Sequence, residues 1–574
     1  MKKVILIICI LIFSGANAQK WGMYTLYSVK GSNSAQLVDT NNTIYKTWTF
    51  PSSKKTCFSS YLIPGDTLVR TVSYTGAILS GGPFSGEIQK IDWNNNIVWD
   101  YIYSDSTHVL HHDICPMPNG NVLMIALEVK KAPQGTQAGG SANMQRRSDM
   151  IIEVMPTGPV TGTIVWQWNL WDHLCQNYNP AKANYVTSLV DNPQLIDINY
   201  DNSIDFFHMN GIDYNAILDQ ITFSSYTFSE IYVIDHSTNT AQATGHTGGN
   251  SGKGGDIIYR WGNPSAYGAI GNTVFNVVHD AHWVSPDNIY FPNYLCGYNN
   301  LGGVGAKTAI NVLNPPYNGY NYTSTLGTAY EPLSSSWLYT TNSVNSKEGS
   351  SQQLPNGNSL VCFTFLDTIT EVNYSGETLW TYVTPGSVSN ALRYSKCYVR
   401  GHKATATASA MQIESGALVS LSSSASSATE TNPTYTFSWT SVPAGFTSGL
   451  QNPEISPIVT TTYIVTITNP DLGCFDSAFV TINVNPSGIN SFDKNNVFSI
   501  NPNPAKEILT ININKIKDSH NTIVNIYDLQ GELMLQQAIK QETTELTISN
   551  FAKGMYILKI CNDKNTMVSK FIKE

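Results

Sequence analysis

The stretch PNGNVLM at residues 118–124 recurs as PNGNSLV at residues 355–361. In each copy a Pro-Asn-Gly-Asn turn leads into an apolar strand. An Asn-Gly pair favours a tight hairpin because both central residues of the turn must adopt positive φ. Weaker copies, PGDTLV at 64–69 and PDNIYF at 286–291, keep the same order of turn and strand. This recurrence indicates a fold built from repeated β-units.

A second unit alternates with the first and consists of a short strand, a turn with Asp or Asn, and a strand that ends in tryptophan. Its copies end at Trp48, Trp99, Trp166, Trp261 and Trp380. Two alternating hairpin types, repeated about six times, predict a six-bladed β-propeller over residues 19–401, with one four-stranded sheet per repeat. The uneven tryptophan spacing predicts long loops on some blades, and such loops often carry a functional site.

The first residues and the overall charge bear on where the protein acts. Lys2 and Lys3, an apolar run over residues 4–13 and the small residues Ala16 and Ala18 predict a signal peptide over 1–18. The formal net charge is −9, which disfavours binding to nucleic acid or to an anionic membrane. Elsewhere no apolar run approaches the roughly 20 residues that a transmembrane helix needs. We therefore expect an exported protein without a membrane span.

Nothing in the residue spacing predicts a metal site or a cofactor. The eight cysteines that follow the signal peptide have no Cys-x-x-Cys pair, and their disulfide connectivity stays open. The Gly/Ser-rich run at 245–255 lacks the Gly-Lys-Ser/Thr ending of a phosphate loop and is interpreted as an insertion. A structural role is favoured for Asp172 and His173.

The composition changes after the propeller region. Residues 402–486 are rich in Ser, Ala and Thr, with short alternating strands around Trp439. This pattern predicts an immunoglobulin-like β-sandwich. Through Trp439, Tyr463 and the Gly473-Cys474 pair, the segment resembles polycystic-kidney-type modules of bacterial surface proteins.

The last segment, 490–574, is predicted to be a small C-terminal β-sandwich. It carries three ordered motifs, FSINPNPA at 498–505, VNIYDLQG at 524–531 and KGMYILKI at 553–560. With these motifs it resembles the type A C-terminal sorting domain of the type IX secretion system of Bacteroidetes. The resemblance implies that the type IX machinery carries the chain across the outer membrane and that the domain is then removed. Whether the protein is shed or attached to the cell surface stays open.

Histidines precede the turn-and-strand unit in three different repeats. They are the HHD of 111–113, His208 within DFFHMNGIDY at 205–214, and His279 within VVHDAHW at 277–283. Equivalent positions of successive blades converge on the central channel of a propeller. We therefore expect these imidazoles to share one pocket. The alternative is that each histidine only caps or bridges its blade.

The order of these motifs, with ITFSS at 221–225 before the last of them, resembles the bacterial arylsulfate sulfotransferases, which are six-bladed propellers. The resemblance covers residues 20–400. It implies transfer of a sulfuryl group from a phenolic sulfate ester to a phenol acceptor through a histidine, without a cofactor. Such a donor and acceptor are the expected small-molecule partners.

The resemblance also implies roles for individual residues. His279 would be the nucleophile, and His208 with Asn210 would bind the sulfuryl or phenolic oxygens. His112, or alternatively His111, would be the remaining histidine of the site.

One position departs from the family. Where the family has an arginine after the Ser-Ser pair, this sequence has Tyr226. A neutral phenol cannot replace a guanidinium, which is the strongest partner for an anion. Arg260 is a candidate for the missing cation, or it stacks beside Trp261. The alternative function is therefore a non-catalytic surface adhesin or glycan-binding propeller.

Overall fold

The computed structural model describes residues 21–399 except 65, 80 and 82, and residues 403–426, 434–470, 474–485, 498–513, 522–529, 531–561 and 566–574. The predicted signal peptide lies outside these residues. The described chain is almost entirely β, as predicted. Its three α-helices are α1 (Ala132–Gln137), α2 (Thr240–Ala243) and α3 (Lys396–Val399). None of the helices in this part of the chain is long and apolar enough to span a bilayer.

The N-terminal region contains 28 strands, and three short 3₁₀ turns lie at Leu170–His173, Pro264–Tyr267 and Thr364–Leu366. In chain order the strands are β1 (Tyr24–Tyr27), β2 (Ser34–Asp39), β3 (Ile44–Thr49), β4 (Thr56–Ile63), β5 (Thr67–Ser73), β6 (Gly86–Ile91), β7 (Ile97–Ile102), β8 (His108–Pro116), β9 (Val122–Lys130), β10 (Arg146–Gly158), β11 (Thr161–Asn169), β12 (Leu174–Cys175), β13 (Ile196–Asp197), β14 (Met209–Asn215), β15 (Gln220–Ser225), β16 (Glu230–Asp235), β17 (Tyr259–Trp261), β18 (Val278–Trp283), β19 (Leu295–Gly303), β20 (Lys307–Leu313), β21 (Tyr317–Asn318), β22 (Asn321–Tyr322), β23 (Trp337–Thr340), β24 (Ser350–Gln353), β25 (Ser359–Phe363), β26 (Thr368–Val372), β27 (Thr378–Val383) and β28 (Ala391–Tyr394).

These strands form six four-stranded sheets, and the predicted β-propeller is confirmed. The sheet orders are β28-β1-β2-β3, β4-β5-β6-β7, β11-β10-β9-β8, β14-β15-β16-β17, β18-β19-β20-β23 and β24-β25-β26-β27. Two short pairs, β12-β13 and β21-β22, lie in the connecting loops. Strand β28 pairs with β1, with Tyr394 opposite Tyr24, so one sheet takes strands from both ends of the region.

The recurring tryptophans explain how neighbouring sheets are joined. Trp48 Nε1 donates a hydrogen bond to the Asp92 carbonyl of the next sheet at 3.0 Å. Trp99 Nε1 donates in the same way to Thr161 O at 3.0 Å. A buried indole needs a partner for its N–H, and each of these rings also fills the space between two sheets. The tryptophan repeat seen in the sequence is therefore a repeat of contacts between sheets.

The first strands of four successive sheets, β4, β8, β14 and β18, lie against one another. Each of these strands carries a bulge. The bulge of β8 lies between Leu110 and Ile114, and the bulge of β18 lies between His279 and His282. At Gly211 in β14, an added Cβ would lie 2.8 Å from the backbone nitrogen of Asp280 in β18. This close approach requires glycine. Because a bulge re-aims the side chains around it, the bulged inner strands can direct several residues towards one point.

The region after the propeller contains two further sheets. Its strands are β29 (Lys403–Ala408), β30 (Gln412–Glu414), β31 (Val419–Ser426), β32 (Thr436–Val442), β33 (Thr447–Ser448), β34 (Glu454–Ile455), β35 (Thr461–Asn469) and β36 (Cys474–Asn485). They pair in the orders β29-β31-β34 and β30-β36-β35-β32-β33. Trp439 of β32 is fully buried. Two antiparallel-rich sheets around a buried tryptophan agree with the predicted sandwich, and the boundaries proposed for it fall outside the described residues.

The C-terminal region again forms two sheets. Its strands are β37 (Phe498–Asn501), β38 (Ile508–Ile513), β39 (Ile523–Tyr527), β40 (Leu533–Ala538), β41 (Thr543–Thr547), β42 (Gly554–Cys561) and β43 (Thr566–Lys573). The orders are β37-β38-β41 and β40-β39-β42-β43. They enclose a separate apolar core that includes Leu509, Ile511, Val524, Ile526, Leu558 and Ile560. Burial of that core accounts for the alternating apolar pattern of the three sorting motifs.

The described cysteines include both free thiols and a disulfide-bonded residue. Five propeller cysteines, Cys57, Cys115, Cys175, Cys296 and Cys362, are buried free thiols. Buried thiols of this kind pack as small apolar side chains. Cys474 is disulfide-bonded.

Candidate active site in the propeller

Four histidines and a tyrosine from three sheets form one connected cluster. The ring centroid of His112 lies 4.8 Å from that of His208 and 5.2 Å from that of His111. The Tyr226 ring lies 5.2 Å from His208 and 5.8 Å from His279. Residues that are far apart in the chain are thus brought together, in the way expected from their repeat positions.

The backbone around this cluster adopts unusual conformations. His112 has φ of +50° and His208 has φ of +57°. On either side of His279, Val277 has φ of +60° and Asp280 has φ of +55°. Left-handed conformations of residues other than glycine cost of the order of 1–3 kcal/mol each, and they concentrate at functional sites. The strain therefore coincides with the residues that the sequence singled out.

The orientation of His279 is fixed by a neighbouring amide. Its Nδ1 donates to Asn300 Oδ1 at 2.7 Å. Asn300 Nδ2 donates to the carbonyls of Asn345 and Glu348 at 2.8 and 2.7 Å, so the amide oxygen must face the ring. The lone pair is then on Nε2, where it accepts from the Glu348 N–H at 3.2 Å. Burial lowers the pKa of His279 to about 3, so this imidazole is neutral near pH 7.

In contrast to His279, His208 favours its charged form. Its Nδ1 lies 2.8 Å from Asp205 Oδ2. Burial works to lower the pKa of His208, but the hydrogen bond to Asp205 and the carboxylate charge outweigh it and raise the pKa above its ordinary value. Burial likewise opposes ionisation of Asp205, yet His208 holds the pKa of that carboxyl below its usual range. The pair therefore favours an imidazolium beside the neutral His279.

His112 is linked to a buried carboxylate through His111. The two Nδ1 atoms lie 2.9 Å apart, and His111 Nε2 lies 2.9 Å from Asp149 Oδ1. One of the two Nδ1 atoms donates a proton to the other, so each of these imidazoles holds the other in place. Burial first, and then the charges of the neighbouring histidines and Lys30, lowers the pKa of His112 well below its ordinary value.

Two cations near the cluster were missed by the sequence analysis. Lys30, in the loop after β1, has its Nζ 2.5 Å from Glu348 Oε2, and its charge acts on His112. Arg147, the second residue of β10, acts electrostatically on His208, and its Cζ lies 5.0 Å from the Phe84 ring centroid. Neither residue belongs to a motif, so only the scarcity of basic residues in this chain could have drawn attention to them.

Arg260 is held by a set of contacts inside the propeller core. Its side chain is fully buried and forms an ion pair with Glu230. Its Nη1 donates to the carbonyls of Pro193 and Leu195, and its Cζ lies 4.2 Å from the Tyr267 ring centroid. Every guanidinium nitrogen thus has a partner within the protein, which disfavours Arg260 as the missing cation. The guanidinium also lies over the ring of Tyr232, with the Cζ 5.2 Å from its centroid, so the aromatic neighbours found for Arg260 are tyrosines where Trp261 was expected.

Asn210 is hydrogen-bonded to two neighbouring strands. Its Nδ2 donates to Val278 O at 2.8 Å, and its Oδ1 accepts from Ser224 Oγ at 2.6 Å. The residue is buried. Its amide therefore ties β14 to the residue before His279, and both of its polar atoms have partners within the protein. Tyr226 is half-buried, and its backbone N–H donates to His208 O at 3.0 Å.

A cavity of about 250 Å³ lies on the strands that carry the histidines. Its lining includes Asp113 and Asp280, which directly follow His112 and His279, together with Tyr61 and Trp283. Burial raises the pKa of Asp113 to about 7. The cavity thus combines aromatic walls with carboxyl groups.

Two segments match models of known families. Residues 76–244 match the family described as Arylsulfotransferase (ASST), and residues 499–574 match the secretion system C-terminal sorting domain. The resemblances to the arylsulfate sulfotransferases and to the type IX sorting domain are thus confirmed. The first match includes His111, His112 and His208 and ends before His279, and it supports a sulfotransferase activity. The second indicates type IX export to the cell surface or beyond it.

Several solved structures are similar to this chain. A periplasmic gluconolactonase of Pseudomonas aeruginosa is 12% identical with a TM-score of 0.37, over 64% of this chain and 98% of that chain. A protein of unknown function from Bacteroides caccae is 10% identical with a TM-score of 0.36, over 65% and 98%. A catalytically inactive virginiamycin B lyase from Staphylococcus aureus is 10% identical with a TM-score of 0.31, over 64% and 88%. No curated protein sequence matches the chain.

Proposed function

We propose that the propeller transfers a sulfuryl group from a phenolic sulfate ester to a phenol acceptor through an N-sulfated His279. The observation behind this proposal is that one cluster holds two histidines with opposite protonation preferences. His279 is held neutral with its lone pair on Nε2, while Asp205 favours the charged form of His208. A neutral imidazole is a nucleophile, and an imidazolium is a proton donor.

In the first half of the reaction, the Nε2 lone pair of His279 attacks sulfur and forms an N–S bond. The S–O bond to the aryl group breaks, and the phenolate takes the proton of His208 and leaves as a phenol. In the second half, His208 takes the proton of the acceptor phenol. The acceptor oxygen attacks sulfur and the N–S bond breaks, which returns the lone pair to His279. Each proton and electron pair is thus restored, and no cofactor is needed.

The negative charge on the sulfuryl oxygens requires fixed cations or donors. Lys30 and Arg147 are the cations whose charges reach His112 and His208. They are proposed to act where the family uses the arginine that Tyr226 replaces. Tyr226, between the rings of His208 and His279, is suited to stack on a phenolic ring.

One rearrangement is required before attack. The Glu348 N–H occupies the Nε2 lone pair of His279 at 3.2 Å. Glu348 itself has φ of +58° and is followed by Gly349 with φ of +100°. A small shift of this strained turn frees Nε2, and the freed N–H becomes a donor for a sulfuryl oxygen.

Intact mass measurement of the full chain after mixing with a chromogenic aryl sulfate tests the proposal. We expect phenol release and a gain of one sulfuryl group that His279→Asn lacks. A suitable control is His108→Asn, because His108 pairs with Asp105 at the surface and lies outside the cluster. Failure of the wild-type chain to gain mass or release phenol, or equal gains by wild type and His279→Asn, contradicts the proposal.

The second candidate is a non-catalytic adhesin or glycan-binding protein. The hydrogen bond from the Glu348 N–H to His279 Nε2 favours this candidate, because a lone pair that already accepts a hydrogen bond cannot attack sulfur. The two candidates differ in the same measurement. Saturable polysaccharide binding without any mass gain supports the adhesin.

A further inference from the structure

We propose that His173, His246 and Asp256 bind a divalent transition metal ion of the zinc class. These residues lie outside the histidine cluster of the candidate active site. His173 ends a 3₁₀ turn after β11, while His246 and Asp256 lie at the two ends of the glycine-rich loop before β17. The proposal does not depend on the sulfotransferase function.

The three ligand atoms converge on one point. His246 Nδ1 lies 2.7 Å and His173 Nδ1 lies 3.0 Å from the same oxygen, Asp256 Oδ1. All three atoms lie within 4.8 Å of one another. Bond lengths of about 2.0–2.2 Å from zinc to nitrogen and oxygen place tetrahedral ligand atoms somewhat more than 3 Å apart. The cluster needs only a slight expansion to admit the ion.

The second contact of His173 fixes its tautomer. Its Nε2 lies 2.8 Å from Ala243 O. A carbonyl can only accept, so Nε2 carries a proton, and Nδ1 is the ring nitrogen that faces Asp256. A metal-bound histidine characteristically donates its other N–H to a carbonyl, and the fully buried His173 ring, stacked at 5.4 Å on Trp168, is held in that orientation.

The backbone packing of the glycine-rich loop also supports a metal site. An added Cβ at Gly255 would lie 2.0 Å from Ala243 O and 2.7 Å from His173 Nε2. The carbonyl of Gly255 accepts from Trp168 Nε1 at 2.7 Å. Only glycine fits here, and the loop closes tightly against His173. The glycines therefore bring His246 and Asp256 to the buried histidine.

The donor set indicates the kind of ion. Two imidazoles with one carboxylate suit zinc and similar transition metals, whereas calcium and magnesium prefer oxygen ligands. His246 has a side chain that is 60% exposed. A fourth position on the ion would thus face solvent and take water. Ligands that come from two separate loops leave no short spacing motif, which explains why the sequence predicted no metal.

Zinc binding by the full, untagged chain tests this site. Protein stripped with a chelator is equilibrated with Zn²⁺, and bound zinc is measured by equilibrium dialysis with elemental analysis. We expect about one equivalent per chain in the wild type. In His246→Ala the affinity should fall by more than the ~100-fold that loss of a residue outside the coordination sphere causes. Zinc should also raise the melting temperature of the wild type and not that of His246→Ala.

His246 is a suitable target because its exposed ring can be removed without opening the core. Asp256→Asn keeps the side-chain shape and is expected to lose zinc in the same way. His108→Ala, which removes a surface histidine that also contacts a carboxylate, is expected to bind like the wild type. Absence of zinc from the wild type overturns the proposal. Equal binding by wild type and His246→Ala also overturns it, because the ion would then be held elsewhere.

Discussion

Asn300 Oδ1 accepts the Nδ1 proton of His279 at 2.7 Å, and this contact decides which nitrogen of the imidazole can react. The amide cannot rotate without losing its bonds to the carbonyls of Asn345 and Glu348. The pKa of His279 is lowered to about 3 because burial of a charged ring outweighs the hydrogen bond to the neutral Asn300 amide, which raises it. The reactive form is thereby available at all ordinary pH values.

Asn300→Asp places a negative charge beside His279. A carboxylate next to a cationic ring favours the charged form, so we expect the pKa of His279 to rise by about 1–3 units. The reactive neutral form is lost as the pH falls through that pKa. The acid limb of the kcat profile should therefore move to higher pH, which steady-state kinetics with an aryl sulfate will show. Asn300→Ala lacks the charge and should lower kcat without this shift, whereas an unmoved acid limb in Asn300→Asp contradicts the assignment.

Asp205→Asn tests the proton donor. The carboxylate raises the pKa of His208 against the effect of burial, so its removal should lower that pKa. The protonated donor is lost as the pH rises through the pKa of His208. We therefore expect the alkaline limb of the kcat profile to move to lower pH, most clearly with donors whose phenols are weak acids.

The chain offers a matched control for this change. Asp105 contacts His108 at 3.1 Å with the same spacing of three residues, but at the surface. Asp105→Asn should leave the alkaline limb in place. A profile that moves equally in both variants would show that the shift does not come from His208.

The propeller was predictable because its signals repeat. Trp48 and Trp99 each donate to a carbonyl of the next sheet, so the same residue recurs where the same contact is made. The histidines were found for a similar reason, since they lie in or directly beside the bulges of the first strands. Such periodic features are visible in a single sequence.

The partners of these residues were not predictable. Arg260 and Glu230 are 30 positions apart, and nothing in either motif shows that they pair inside the core. Lys30 reaches His112 from a different sheet, so their proximity depends on closure of the ring. His173 and Asp256 likewise meet only because a loop folds back. Contacts between repeats therefore need the folded chain.

Arg260→Ala is expected to impair stability and not chemistry. The variant leaves Glu230 buried without its partner, and loss of one member of a buried pair costs about 3–5 kcal/mol. Denaturant unfolding should show this loss directly. The conservative pair Arg260→Met with Glu230→Leu removes both charges and should recover most of the stability. A folded Arg260→Ala variant that loses sulfuryl transfer at unchanged stability would restore Arg260 to the active site.

The ion network of His236 makes the stability of the propeller depend on pH. His236 Nδ1 lies 2.7 Å from Asp219 Oδ1, and its Nε2 lies 3.0 Å from Glu153 Oε2. Burial disfavours the charged ring, but the two carboxylates outweigh it and raise the pKa of His236 to about 9. The stabilisation is fully present below the ordinary pKa of about 6.5 and is lost as the pH rises through about 9.

A shift of this size corresponds to about 3 kcal/mol at low pH. We therefore expect His236→Gln to melt well below the wild type at pH 6, and the two melting temperatures to converge at pH 10. Calorimetry of the full chain will show several unfolding transitions, and the propeller transition is the one whose melting temperature changes in this variant. His108→Gln, which alters a histidine paired only at the surface, should follow the wild type at both pH values. A constant difference between His236→Gln and wild type across this range would mean that His236 acts through packing, since its ring also lies 4.7 Å from that of Trp166.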